Sequence, residues 1–217
     1  MPKKINPNYG NNVLLEKNTP LTKKEKNIFA YFGENVKIRP PFRILNPHCI
    51  KIGDRTSIRE GAFIHAYVDL TPLFDEIDGK YKKDAKKENY IFDPEILIGK
   101  KVQIGRFVLI TCTKSIKIED YVLFSERIFV GDNNHTFTHP HIPIMLQPNK
   151  KGRPVIIRKG TWIGIGAAIL PGTSLGHNCV VGANSVVEGK FPSYAVIGPE
   201  RAKMLYKRHT TNMTEVN

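Results

Sequence analysis

The sequence predicts an all-β solenoid, a parallel β-helix, on three observations. An aliphatic residue recurs at every sixth position from Ile157 through Ile163, Ile169, Leu175 and Val181 to Val187. Four residues after each of the first five stands a small residue, namely Thr161, Ala167, Thr173, Cys179 and Ser185. The composition agrees: 17 Gly and 15 Pro are scattered along 217 residues that are 41% hydrophobic and 24% charged. Such a chain is turn-rich yet able to bury a core, so it is neither disordered, nor collagen-like, nor built of long helices. A fixed period of six is the mark of a coil that repeats.

The same pattern stands upstream at Ile52, Ile58 and Ile64 with Thr56 and Ala62, and at Ile98, Ile104 and Ile110 with Val102 and Val108. After a two-residue slip it resumes at Ile118, Phe124 and Val130. Each hexad is a short strand plus a corner, and three hexads make a triangular coil. Roughly fifteen hexads give about five coils, and parallel pairing at about 4.8 Å makes a prism about 24 Å tall. The aliphatic position fills the axis and the small residue fits the narrow corner. Gly164, Gly176 and Gly182 directly follow the aliphatic position, where a corner needs an unusual backbone or a close approach of neighbouring coils.

Before the prism, residues 1–43 form an N-terminal segment in which Thr22-Lys23-Lys24-Glu25 matches a capping box. With Ile28, Phe29 and Phe32 on one face and Gly33 as a stop, it predicts a short helix from Thr22 to Phe32. The prism occupies residues 44–191, interrupted at 67–95 and 132–154. Insertions of that length on a rigid scaffold are where function concentrates. Residues 192–217 carry a short C-terminal helix, with Pro199 at its start and a basic turn or two over Arg201–Arg208, and a polar tail.

Thirty-three Lys and Arg against 20 Asp and Glu leave a formal charge of +13, which suits an anionic partner. The basic residues lie mostly in termini and loops without interleaved aromatic platforms, which argues against nucleic acid. Cys49, Cys112 and Cys179 have neither zinc-site spacing nor an even disulfide framework, so they read as reduced thiols. No apolar run approaches the roughly 20 residues of a membrane span, and no export signal opens the chain. A cytoplasmic protein is expected.

Three stretches carry a resemblance: Arg153-Pro154-Val155-Ile156-Ile157, then Gly160-Thr161-Trp162-Ile163-Gly164, then Ile169-Leu170-Pro171-Gly172. Over about residues 44–205 the chain resembles the left-handed β-helix, or hexapeptide-repeat, acyltransferases, in particular the sugar O-acetyltransferases of polysaccharide biosynthesis. The left hand is implied by that resemblance, since general chirality favours right-handed crossovers. It also implies acetyl-CoA as cosubstrate, a saccharide acceptor and a homotrimer of parallel prisms with active sites between subunits.

Of seven histidines, only His135 stands in a motif matching the similar enzymes, Gly131-Asp132-Asn133-Asn134-His135, where the second insertion leaves the prism. The resemblance implies that His135 is the general base. A sugar hydroxyl needs a base of near-neutral pKa to attack a thioester. Asp132 and Asn134 are the expected acceptor-binding residues, with Asp132 or a backbone carbonyl orienting the ring. For the cofactor, Ile165 and Ala183 lie eighteen residues apart, one coil above the other. The resemblance makes the backbone N–H near Ile165 an oxyanion donor and Trp162 a wall of the site, with Gly164 also expected at the cofactor. Arg201-Ala202-Lys203 falls where relatives carry Gly-Asn-Pro-Ala-Lys; the preceding Gly198-Pro199-Glu200 departs from that pattern and leaves Lys203 as the phosphate contact, with Arg201 weaker.

Other readings stay open. His135, His139 and His141 with His65 could hold zinc, as in carbonic anhydrases on a similar prism, although the spacing fits poorly and no metal is expected. The acceptor could be the amine of a nucleotide-linked amino sugar or a xenobiotic. The prism could also be a non-catalytic scaffold. Cys179 reads as core, His177 as an exposed corner, and the lysines between residues 80 and 87 as a solvated loop.

Overall fold

A computed structural model describes residues 13–70, 91–138, 140–147, 149 and 152–199. The chain winds around a triangular prism whose three faces are seven-stranded sheets. The first sheet stacks Leu14–Lys17, Phe42–Leu45, Ala62–Ala66, Leu109–Cys112, Phe129–Gly131, Ala168–Ile169 and Val186–Val187. The second stacks Tyr31–Phe32, Ile50–Ile52, Glu95–Ile98, Ser115–Ile118, Val155–Ile157, Ser174–Leu175 and Lys190–Phe191. Lys37–Ile38, Ser57–Ile58, Gln103–Ile104, Leu123–Phe124, Trp162–Ile163, Val180–Val181 and Val196–Ile197 make the third. Each coil visits the second, third and first sheets in turn.

The prism is taller than the expected five coils: it begins at Tyr31 rather than residue 44 and runs to Ile197 rather than 191, giving six full coils and a two-sided seventh. The helix expected over Thr22–Phe32 is confined to Lys23–Lys26, with the Thr22–Glu25 capping box formed as the sequence specifies. The apolar residues assigned to its face do other work. Phe29 is buried at the open lower end of the core and packs edge-on against Phe32, 5.1 Å between ring centroids. Leu14–Lys17 closes the lowest edge of the first sheet as its one antiparallel strand, pairing with Phe42–Leu45. The C-terminal helix expected beyond Pro199 lies outside the described residues.

Every sixth residue points to the axis. Ile52, Ile58, Ile64, Ile104, Ile110, Ile157, Ile163, Ile169 and Val181 are completely buried, each stacked on its equivalent in the coil below. The small residues of the second register are buried too, and they do more than fit a corner. Thr56 Oγ1 donates to the Gly99 carbonyl at 2.7 Å, Thr161 Oγ1 to Gly176 at 3.1 Å and Thr173 Oγ1 to Val187 at 2.9 Å. The corner carbonyls of Gly99 and Gly176, which receive no backbone N–H among the described residues, are thereby paired instead of being buried unsatisfied.

At the two regular edges the unusual backbone sits three residues after the axial position, at Arg55, Lys101, Tyr121, Asn178 and Asn184 among others, where φ is between 51° and 60°. The N–H of such a residue donates to the corner below, as Arg55 does to Glu34 and Lys101 to Asp54. The glycines directly after the axial residue serve the other purpose anticipated for them. A Cβ on Gly164 would lie 2.7 Å from the Ala183 nitrogen, so the coils could not approach there with any side chain.

The register reveals a constraint on where the chain departs from six. Ile44 and Ile64 pair at twenty residues, Ile64 and Ile110 at forty-six, Ile110 and Val130 at twenty, Val130 and Ile169 at thirty-nine, and Ile169 and Val187 at eighteen. From the second sheet to the third and from the third to the first, the step is always six. All extra residues, including both long insertions, fall at the one edge where the first sheet turns into the second. Both insertions thus leave and rejoin the prism at one edge of an otherwise regular stack.

On the first sheet, His65 sits half-buried between Phe63 and Tyr67, with Nδ1 3.2 Å from the Tyr67 hydroxyl and Nε2 buried without a hydrogen-bond partner among the described residues. Burial, with the Arg43 charge as a lesser contribution, pushes its pKa down to about 4. The folded protein therefore binds fewer protons at His65 than the unfolded chain between pH 6.5 and 4. Stability contributed by the neutral ring is full above pH 6.5 and is lost as pH falls toward 4, by ~2–3 kcal/mol. In His65→Phe, urea unfolding measured across this range is expected to lose that part of its pH dependence. Ile163→Asp puts a carboxylate on the apolar axis and is expected to cost upward of ~4 kcal/mol, read as a collapse of the thermal unfolding temperature.

Candidate active site

His135 belongs to the second insertion, which leaves the prism at the variable edge directly after Phe129–Gly131. Asp132 fixes the point of departure. Its side chain is completely buried and its carboxylate accepts the backbone N–H groups of Thr113, Lys114 and Ser115, each at 2.8 Å, from the coil below. Asn133 Nδ2 donates to it at 3.0 Å and the Cys112 thiol at 3.3 Å. Burial first, then the Asp132 charge, raise the Cys112 pKa far above its usual range, so Cys112 is a neutral donor. The Asp132 backbone is engaged as well: its N–H donates to Thr111 and its carbonyl accepts from Arg153, where the loop returns. Gly152 crosses directly over the carboxylate, and a Cβ there would meet Asp132 Cγ and Oδ2 and Thr113 Oγ1, all at 2.8 Å.

Asp132 is therefore the clamp at the root of the insertion, holding exit and return together. The expectation that it binds the acceptor does not fit a carboxylate with no exposed surface and both oxygens taken by backbone amides. Beyond the clamp, Asn134 and His135 are exposed, and the His135 backbone bridges antiparallel to Asn149. The side chain is thus carried outward on a tethered ribbon. His139 lies outside the described residues; among those described, no group of three or more His, Cys, Asp or Glu side chains is arranged to hold a metal ion.

The residues expected at the cofactor lie elsewhere on the prism. Trp162 projects from the third sheet, 47% exposed, with Nε1 donating to Ser125 Oγ at 3.2 Å one coil below. Gly164 is buried and its N–H is committed to the Val181 carbonyl at 2.8 Å, so it serves coil contact and offers no amide outward. Ile165 and Ala183 follow at the edge where the third sheet turns into the first, exposed and stacked as expected, since Ile163 pairs with Val181. At the edge between the second and third sheets, the amides of Glu34, Lys100, Lys159 and His177 are taken by Asp54, Asp120, Glu119 and Ser193 side chains. Those of Ile165 and Ala183 meet no acceptor among the described residues. Lys203 and Arg201 lie outside the described residues.

Within one chain, then, His135 and the Ile165–Ala183 amides occupy different edges, separated by the whole width of the first sheet. Ser125, Gly152 and the Thr113–Ser115 amides are the contributors that motif reading passed over. Their signal was spatial, since each meets its partner across a coil boundary.

Residues 154–189 match the family model for the bacterial transferase hexapeptide (six repeats). Probable acetyltransferase Rv3034c of Mycobacterium tuberculosis is 32% identical over 167 residues, 77% of this chain and 54% of that protein, so the chain spans about half the length of that relative. A galactoside O-acetyltransferase of Lactococcus lactis is 29% identical over 85% of this chain and 70% of its own length. Among solved structures, a point mutant of AntD, an N-acyltransferase from Bacillus cereus in complex with dTDP-4-amino-4,6-dideoxyglucose and coenzyme A, superposes with a TM-score of 0.62 at 20% identity, covering 90% of this chain and 93% of that one. At that identity the likeness carries the fold alone. No helix of the described residues is long and apolar enough to cross a membrane. With its six-residue period, its three parallel sheets and these likenesses, the chain is a left-handed parallel β-helix that over residues 154–189 matches the hexapeptide-repeat transferases.

Proposed function

We propose that the protein is an acetyl-CoA-dependent O-acetyltransferase acting on a saccharide hydroxyl, with sites formed between neighbouring copies of a homotrimer. The observation that carries the reading is the pair of open amides at Ile165 and Ala183, one coil apart on an exposed edge. Two outward N–H donors about 4.8 Å apart suit a linear arm with carbonyl groups, such as pantetheine. The Ile165 N–H also suits the thioester oxygen as it gains charge. Trp162, fixed by Ser125 beside that edge, supplies an apolar wall.

The base must come from another copy, because His135 stands on a different edge. The outward columns support such an assembly. The outward column of the second sheet interleaves Lys51, Lys117 and Lys190 with Leu97 and Ile156, whereas the first presents Phe63, Leu109, Phe129, Ala168 and Val186, and the upper third sheet Trp162, Val180 and Val196. Apolar columns on two faces, beside a third whose column is broken by lysines, suit burial of the first two against copies of the chain.

In the reaction, His135 takes the proton of the acceptor hydroxyl as its oxygen attacks the thioester carbon. The C–S bond then breaks and the departing sulfur receives that proton. Asp132 acts only by fixing the root of the loop, and Lys203 is the proposed phosphate contact. Hydroxyl rather than amine acceptors are favoured by the Lactococcus lactis galactoside O-acetyltransferase, similar over most of the chain.

His135→Ala is expected to lower turnover at least ~10²-fold with acetyl-CoA binding unchanged, measured by thiol release and calorimetry. Near-normal turnover in that variant contradicts the assignment, as does acetyl-CoA failing to bind at all. Preference for amine over hydroxyl acceptors in a panel of sugars and oligosaccharides would replace O- by N-transfer. Asp132→Ala leaves three backbone amides without their acceptor and is expected to lower both the unfolding temperature and turnover, whereas His135→Ala leaves the unfolding temperature unchanged.

A further inference from the structure

The lower half of the third sheet carries a groove below the residues assigned so far to the base and the cofactor. It is lined along one rim by Arg55, Lys101 and Tyr121, and along the other by Arg39, Arg59 and Glu126, with Ser57, Gln103 and Leu123 as its floor. Four cations thus stand against one carboxylate, on both rims of an uncharged floor. The neutralisation is incomplete. Arg39, Arg59 and Arg106 share the single carboxylate of Glu60 at 3.6, 3.1 and 3.3 Å, and Arg106 also takes Glu126 at 3.5 Å. Arg55 makes no ion pair among the described residues, and Lys101 Nζ donates to the Tyr121 hydroxyl at 3.1 Å instead of meeting an acid. The crowding of guanidinium groups is felt at Glu60, whose carboxyl is held down to about 2, first by its own backbone N–H and then by Arg59 and Arg106.

The groove is also placed and sized for one kind of ligand. Its residues come from the first four coils, so it runs about 14 Å along the prism, longer than one sugar ring or one diphosphate. Its upper end is Leu123 and Ser125, and Ser125 holds the Trp162 indole. The open amides at Ile165 and Ala183 lead upward from that point, and the groove leads downward. We infer that the groove binds an acidic oligosaccharide as the acceptor chain, its carboxylates alternating between the two cationic rims and its reacting residue lying at Trp162. The inference rests on the proposed acetyltransferase reading and names the class of its acceptor.

The test uses the full-length protein with tetragalacturonate, neutral maltotetraose and UDP as probes, by calorimetry at low and at physiological salt. Tetragalacturonate is expected to bind at least ~10-fold more tightly than maltotetraose and to weaken steeply with salt. The double variant Arg55→Gln/Lys101→Gln is expected to lose at least ~10-fold in that affinity, with acetyl-CoA affinity and thermal unfolding unchanged, and Arg55→Lys to recover most of it. Equal affinity for maltotetraose, an unaltered affinity in the double variant, or competition by UDP as strong as that of the tetramer each overturns the inference. Turnover with a neutral acceptor separates the two readings. If it survives in the double variant while tetragalacturonate binding is unmoved, the groove assignment fails and the enzyme stands; if it survives in His135→Ala, the enzyme reading fails whatever the groove binds.

Discussion

Register between coils is the constraint on which everything else in this molecule depends. An axial isoleucine, valine, leucine or phenylalanine lies over its equivalent in the coil below on all three faces, and parallel strands between them fix the spacing. A slip of one residue would turn each axial side chain outward, so register is enforced by burial along the whole prism. Rigidity of that kind lets a position in sequence become a position in space. Eighteen residues place Ala183 over Ile165, and the stack sets Ser125 under Trp162 although an insertion lies between them in sequence.

The constraint is relaxed at one edge only. Because all length variation is collected where the first sheet meets the second, the chain can carry long insertions without disturbing the stack, and Asp132 shows how such an insertion is anchored. One buried carboxylate receives three amides of the coil below while its own backbone carbonyl holds the returning strand, so an exposed histidine is presented from a rigid root. The desolvation cost of this buried carboxylate is offset by its donors, and removing it leaves those donors without an acceptor.

Much of this is legible in the sequence because the period is local. The hexads from Ile157 to Val187, the two registers, and both insertions follow from counting. What counting misses is whatever one coil settles for another. The lowest coil escapes notice because eight-residue steps at the variable edge break the period, and Phe29 reads as a helix face until the open end of the core claims it. Asp132 reads as an acceptor contact because its motif is contiguous, while the amides that consume it are seventeen to nineteen residues away. The cationic groove is invisible for the same reason: Arg39, Arg55, Arg59 and Lys101 belong to three coils. Four of the chain's 33 basic residues thereby gain a location on one face of the prism.

The central claim is that a working site takes His135 from one copy and the Ile165–Ala183 edge from another. Co-expressing two inactive variants, His135→Ala and Ala183→Trp, tests it most directly, since neither chain alone can supply both halves. Shared sites predict that activity returns in the mixed assemblies, at about a quarter of the wild-type level for random assortment. Mixed assemblies as inactive as either parent would contradict the account.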